Sequence, residues 1–196
     1  MWHRPRHATT VDMRSRRTIL ADVADPLILT LAFDDAAQAR FQAARDAHFP
    51  PDRNVVPAHA TLFNHLPGDR AAEVCDRIGM ACAAVDGPLP FEAVGIMPLG
   101  KRGCAYRLSC PGVEALRSRV GAGFALADQD RGARRLHVTV QNKADPAEAK
   151  ATLEAVRAGF APFAGRAVGV RLWWYRGGPW EAMRAWGFGA YDESRT

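Results

Sequence analysis

Two tetrapeptides, His59-Ala60-Thr61-Leu62 and His137-Val138-Thr139-Val140, repeat one pattern within a chain of 196 residues. Each alternates a polar with an apolar or small residue, which is the period of a β-strand: residues i and i+2 point to one side and their neighbours to the other. His59 and Thr61 therefore share a face, as do His137 and Thr139, while Ala60, Leu62, Val138 and Val140 point into packed interior. The composition predicts about 0.1 such patterns by chance, yet two are present. A third His-x-Thr, His7-Ala8-Thr9, lacks the apolar fourth residue and lies in a charged stretch; it is read as coincidence.

The surrounding order of elements repeats as well. An apolar strand over 27–33 is followed by a helix opening at Asp34-Asp35 and stopped by Pro50-Pro51. The first motif strand spans 58–65, and a helix follows over 68–85. Gly87-Pro88-Leu89-Pro90 then breaks the chain before a strand pair at 91–99 and 104–110, joined across a Gly-Lys-Arg-Gly turn. A helix with the stripe Val113, Leu116, Val120 and Phe124 leads to the second motif strand, 135–141. Asp145-Pro146-Ala147-Glu148 opens a further helix, whose buried face is marked by Leu153, Val156 and Phe160. Strands at 166–175 and 180–188 close the chain. The two halves echo each other, so the motifs fall at equivalent places in two lobes.

Bulk properties narrow the function classes. Hydrophobic residues make up 48% and charged residues 24%, enough to bury one sizeable core. Residues 1–25 read as a basic, poorly ordered extension, and 26–196 as a single domain. The net charge is +5, and Arg far outnumbers Lys; its guanidinium pairs bidentately with phosphate, although genome composition also produces such a bias. The four cysteines form no C-x-x-C pair and no metal-ligand spacing. There is no signal-peptide pattern and no 18-residue apolar run. A cytoplasmic monomer with free thiols and no membrane contact is the expectation. No phosphate-loop, H-E-x-x-H or G-x-S-x-G motif is present.

Two imidazoles and two hydroxyls on one cleft have a specific chemical use. Histidine titrates near neutral pH, so one ring can be a neutral base while the other is a protonated acid. Placed on opposite sides of a phosphodiester, they activate water and protonate the leaving oxygen, with no metal and no cofactor. Threonine hydroxyls donate to the anionic oxygens.

The paired motifs, their spacing and the strand–helix order resemble the two-histidine (2H) phosphoesterase superfamily, which includes the bacterial 2′-5′ RNA ligases and RNA 2′,3′-cyclic phosphodiesterases. The resemblance runs over residues 26–190. It implies an α+β, bilobal pseudo-twofold fold, with two antiparallel sheets facing a central cleft and helices packed outside. It also implies that His59, Thr61, His137 and Thr139 form the site, with His59 as acid and His137 as base. The chain has Arg134-Arg135-Leu136 before the second motif where the cyclic-phosphodiesterase branch often has Arg-Pro-His.

Alternation adds further substrate-binding candidates. Phe63 and His65 continue the His59 face, and Phe63 either stacks on a base or fills core. Gln141 continues the His137 face, to orient a ribose or phosphate or simply to end the strand. Lys143, Lys101 and Arg102 either reach phosphate or remain solvated. Tyr106 and Arg107 share a strand between the motifs, and only one of them can face the cleft; Tyr106 is the candidate. Arg171, Trp173 and Tyr175 share a face that serves either as a stacking wall or as hairpin packing. The function expected is hydrolysis of a 2′,3′-cyclic phosphate or 2′-5′ phosphodiester in RNA or a small nucleotide, with ligation as the reverse. Alternatives are an RNA-binding module with little turnover, or a hydrolase of a small cyclic nucleotide-sugar phosphate.

Overall fold

A computed structural model describes residues 24–133 and 135–189; the N-terminal extension thus falls outside the described residues except for its last two positions. The elements are β1 (Leu27–Phe33), α1 (Asp35–His48), β2 (Ala60–Leu66), α2 (Ala71–Ala83), β3 (Leu89–Pro98), β4 (Cys104–Ser109), α3 (Val113–Gly121), β5 (His137–Gln141), α4 (Pro146–Ala158), β6 (Phe163–Trp174) and β7 (Glu181–Gly187). Two helix starts follow directly from sequence. Asp34 and Asp145 lie in extended backbone, and their carboxylates accept from the Ala37 and Ala147 amides, satisfying orphan donors of the first turn. Helix α2 begins later than the periodicity indicates, because residues 68–70 form a separate 3-10 turn.

The strands run in the order β1-β2-β5-β4-β3-β6-β7, and β1 also pairs with β6. Every pairing is antiparallel. The strands of both halves therefore form one sheet closed into a barrel, where the resemblance led to an expectation of two facing sheets. Closure leaves six strands without a free edge. The seam between the motif strands is its most open point: β2 and β5 meet at the single register pair Ala60↔Val138.

The core-facing side of the sheet carries Leu29, Leu31, Ala60, Leu62, Val138, Val140, Val170 and Leu172, all at most 2% exposed. Around Phe41 of α1, the rings of Phe33, Phe91, Tyr106 and Phe163 lie with centroids 5.0–5.9 Å away, which ties α1 to β1, β3, β4 and β6. Val74 and Ile78 of α2 and Leu116 and Val120 of α3 complete the core. In α4 the most buried side chains are Ala149 and Thr152, with the expected Leu153, Val156 and Phe160 less buried. All four cysteines are free, and burial raises every thiol pKa, that of Cys82 to about 12. Among the described residues no helix is long and apolar enough to cross a membrane.

Candidate active site

The barrel register assembles the site. Ala60 lies opposite Val138. Extending that antiparallel register by one residue sets His59 across from Thr139 and Thr61 across from His137, all four on the face away from the core. All four are half-buried, between fully buried neighbours. The same row continues outward on both sides. Thr61 pairs with Thr30, and Thr30 with Arg171; His137 pairs with Arg107, and Arg107 with Gly95. The His/Thr quartet is thus flanked on its own row by an arginine at each end.

Each motif is followed by the same backbone irregularity. Thr30 pairs with Thr61 but Leu29 with Phe63, so Leu62 is an extra residue in β2. Ala105 pairs with Thr139 but Cys104 with Gln141, so Val140 is an extra residue in β5. Such a bulge breaks strict alternation and turns the chain beyond it to the other face. This corrects two expected site residues for one reason. Phe63 is 1% exposed in the core. Gln141 is 0% exposed, and its Nε2 donates to Glu148 Oε1 at 2.9 Å. Tyr106 is also corrected: it pairs with Val138 and so shares the core face, packed against Phe41 and Phe163. Its neighbour Arg107 is exposed on the His137 side, with its guanidinium over Gly95, where a Cβ would lie 3.6 Å from Nη2.

The two histidines are held alike. His59 Nδ1 lies 2.6 Å from the Pro57 carbonyl oxygen, and His137 Nδ1 lies 2.8 Å from that of Arg135. In both, the acceptor is the carbonyl two residues upstream. A carbonyl oxygen can only accept, so each Nδ1 carries the proton and each Nε2 is left for a substrate. The Trp180 ring packs on His59, with centroids 4.7 Å apart at 49°. Burial pushes the His59 pKa down to about 4; the positive charge of Arg45 and the neighbouring His137 add to the depression, and the Pro57 hydrogen bond opposes it.

His59 and Thr139 line an open cleft of about 1080 Å³, with His65, Lys143, Phe49, Tyr175 and Trp180 among its walls. Lys143 holds a positive φ of 60°, and its amide donates to Asn142 Oδ1 at 2.8 Å. Tyr175 is 40% exposed, and Trp173 donates from Nε1 to Thr30 Oγ1 at 3.0 Å, so the aromatic hairpin both braces the sheet and walls the cleft. Lys101 stands apart, beside α4 at the β3–β4 turn, and Arg102 reaches the Lys143 carbonyl at 3.4 Å.

Residues 33–179 match the family described as the 2′-5′ RNA ligase superfamily. The chain belongs to that superfamily. TT0787 of Thermus thermophilus is 15% identical, over 85% of this chain and 100% of that one, with a TM-score of 0.58. LigT of E. coli, solved with NADP+, is 15% identical over 84% and 98% of the two chains, with a TM-score of 0.52; LigT with 3′-AMP gives 0.51. At such identities the likeness shows the fold, a mixed α/β architecture around an antiparallel barrel. No curated protein matches by sequence. Membership of the 2′-5′ RNA ligase superfamily agrees with the two-histidine resemblance of the motifs.

Within this superfamily member the sequence reading leaves Arg45 and Thr30 unnamed and offers Arg107 only as the alternative to Tyr106. Thr30 and Arg107 are identified only by strand register. Arg45 had a visible signal: it stands four residues after Phe41 and eight after Ala37, on the buried stripe of α1.

Proposed function

We propose that the chain hydrolyses a 2′,3′-cyclic phosphate or a 2′-5′ phosphodiester, in RNA or a small nucleotide, using His59 and His137 and no metal. The observation that carries this reading is the matched pair of Nδ1 hydrogen bonds to Pro57 and Arg135, which leaves two Nε2 atoms for proton transfer. His137 takes a proton from water as the water oxygen attacks phosphorus. His59 gives a proton to the departing ribose oxygen. Thr61 and Thr139 donate to the non-bridging oxygens, and Arg107 and Lys143 offset their charge. Tyr175 and Trp180 offer ring faces to a base. Ligation is the same path in reverse.

An acid must carry its proton, and before substrate binds His59 is neutral at pH 7 because its pKa is about 4. The depression from 6.5 to about 4 corresponds to about 3 kcal/mol. A phosphodiester anion roughly 4 Å away contributes about 4 kcal/mol at an effective dielectric of about 20. The substrate's own charge is thus of the size needed to offset the depression and return the ring to the range where it can act as an acid near neutral pH. That LigT has been solved with 3′-AMP and with NADP+ supports a nucleotide-sized substrate.

The test is turnover of 2′,3′-cyclic AMP, of RNA ending in a 2′,3′-cyclic phosphate and of 2′-5′-linked ApA, in EDTA, by wild type, His59→Ala and His137→Ala. The expected result is EDTA-resistant hydrolysis that each substitution lowers at least about 100-fold. Inactive wild type on both cyclic substrates would overturn the cyclic-phosphate half of the reading, and inactivity on 2′-5′-linked ApA the other half; variants that retain full rate would overturn the role of the two histidines.

A further inference from the structure

Arg45 is 3% exposed, yet none of its hydrogen bonds among the described residues goes to a carboxylate. Its Nε donates to Asn54 Oδ1 at 3.2 Å, Nη1 to the Thr139 carbonyl at 3.1 Å and Nη2 to the Val56 carbonyl at 3.3 Å. The guanidinium stacks over Phe49, 4.2 Å from the ring centroid. All these partners are neutral. Burial lowers the Arg45 pKa, and the charge of Asp46 opposes that only through space. The Asp46 carboxylate accepts instead from Gln42 and Asn54. A guanidinium buried among neutral acceptors holds its charge without a paired counter-ion, an arrangement that proteins seldom retain without use.

Its position supplies the use. Val56 precedes His59 by three residues and Thr139 follows His137 by two, so one side chain from α1 grips the backbone of the second motif and of the segment that leads into the first. Arg45 also lines the cleft that His59 and Thr139 face. We propose that Arg45 is a positioning residue that fixes the spacing of the two motifs, and that its missing counter-ion is the phosphodiester group of the substrate. This rests on the phosphoesterase reading for its substrate, but not for its phosphate affinity. Before the anion arrives, Arg45 helps to keep His59 neutral; once bound, the anion cancels that effect. Arg45 from α1 and His137 from β5 act on His59. Asp25, Asp52, Arg53, His65, Lys143 and Tyr175 are the other charged or titratable groups on the described cleft wall.

The test uses full-length protein with inorganic phosphate as the probe. In wild type, the His59 ring titration followed by NMR, with His59→Asn to assign it, moves upward on adding phosphate. Arg45→Gln weakens phosphate binding at least tenfold and raises the His59 titration in free protein, whereas Arg45→Lys keeps most of both. Where cyclic-phosphate turnover is present, Arg45→Gln lowers kcat more than it raises KM and shifts the pH profile. If phosphate leaves the wild-type His59 titration unmoved, or if Arg45→Gln binds phosphate like wild type and loses only thermal stability, the inference falls. Failure of the phosphoesterase reading is a separate outcome: phosphate binding would depend on Arg45 while cyclic substrates stayed intact.

Discussion

His59 should make the stability of this protein depend on pH between about 4 and 6.5. Its folded pKa is about 4 against an ordinary 6.5, so between those values the unfolded chain binds a proton that the folded one refuses. Stability therefore rises with pH across the window. The contribution is complete above pH 6.5 and is lost as the pH falls towards 4. The full depression corresponds to about 3 kcal/mol; the ring is only half-buried, and discounting for the solvent it still meets leaves about 2 kcal/mol. For a domain of this size that is a Tm change of roughly 4–8 °C. Carboxylates add their own slope below about pH 5, so the measurement is the difference between wild type and His59→Asn, whose side-chain amide can keep the donor to Pro57 without titrating. Scanning calorimetry from pH 7.5 to 4.5 should give a wild-type curve that falls away from the His59→Asn curve as the pH drops. Parallel curves, or a His59 ring titrating at 6 or above by NMR in free protein, would refute the reasoning that burial and Arg45 hold the ring neutral.

Three further outcomes are expected. Phe63→Ala should cost about 3–5 kcal/mol, the scale for deleting a buried ring, and lower Tm by about 10 °C with KM unchanged in the folded fraction; a KM effect without loss of stability would return Phe63 to the cleft. Arg107→Ala, at an exposed position, should leave Tm within about 2 °C while kcat/KM falls about 10- to 100-fold, the worth of one charge-assisted contact to phosphate. Tyr106→Phe should leave the kinetics unchanged, because the ring faces the core beside Phe41 and Phe163.

The sequence by itself determined what is local. Alternation in HATL and HVTV put the histidines and threonines on one side and the aliphatic residues in the core, because side-chain direction in a strand depends only on parity. The caps of α1 and α4 were legible in Asp34 and Asp145, since a carboxylate reaches amides within its own first turn. Parity fails where a residue is inserted. The bulges at Leu62 and Val140 exist only relative to the partner strands β1 and β4, so no reading of β2 or β5 alone could send Phe63 and Gln141 inward. The choice between Tyr106 and Arg107 likewise waited for the pairing of Tyr106 with Val138. Only tertiary structure decided that β1 meets β6 to close one barrel, that an arginine ends the His/Thr row on each side, and that Arg45 bridges two segments far apart in the chain. Those features are relations between distant segments, fixed by hydrogen-bond register and shared burial, and a single segment carries no record of the register its partners will adopt.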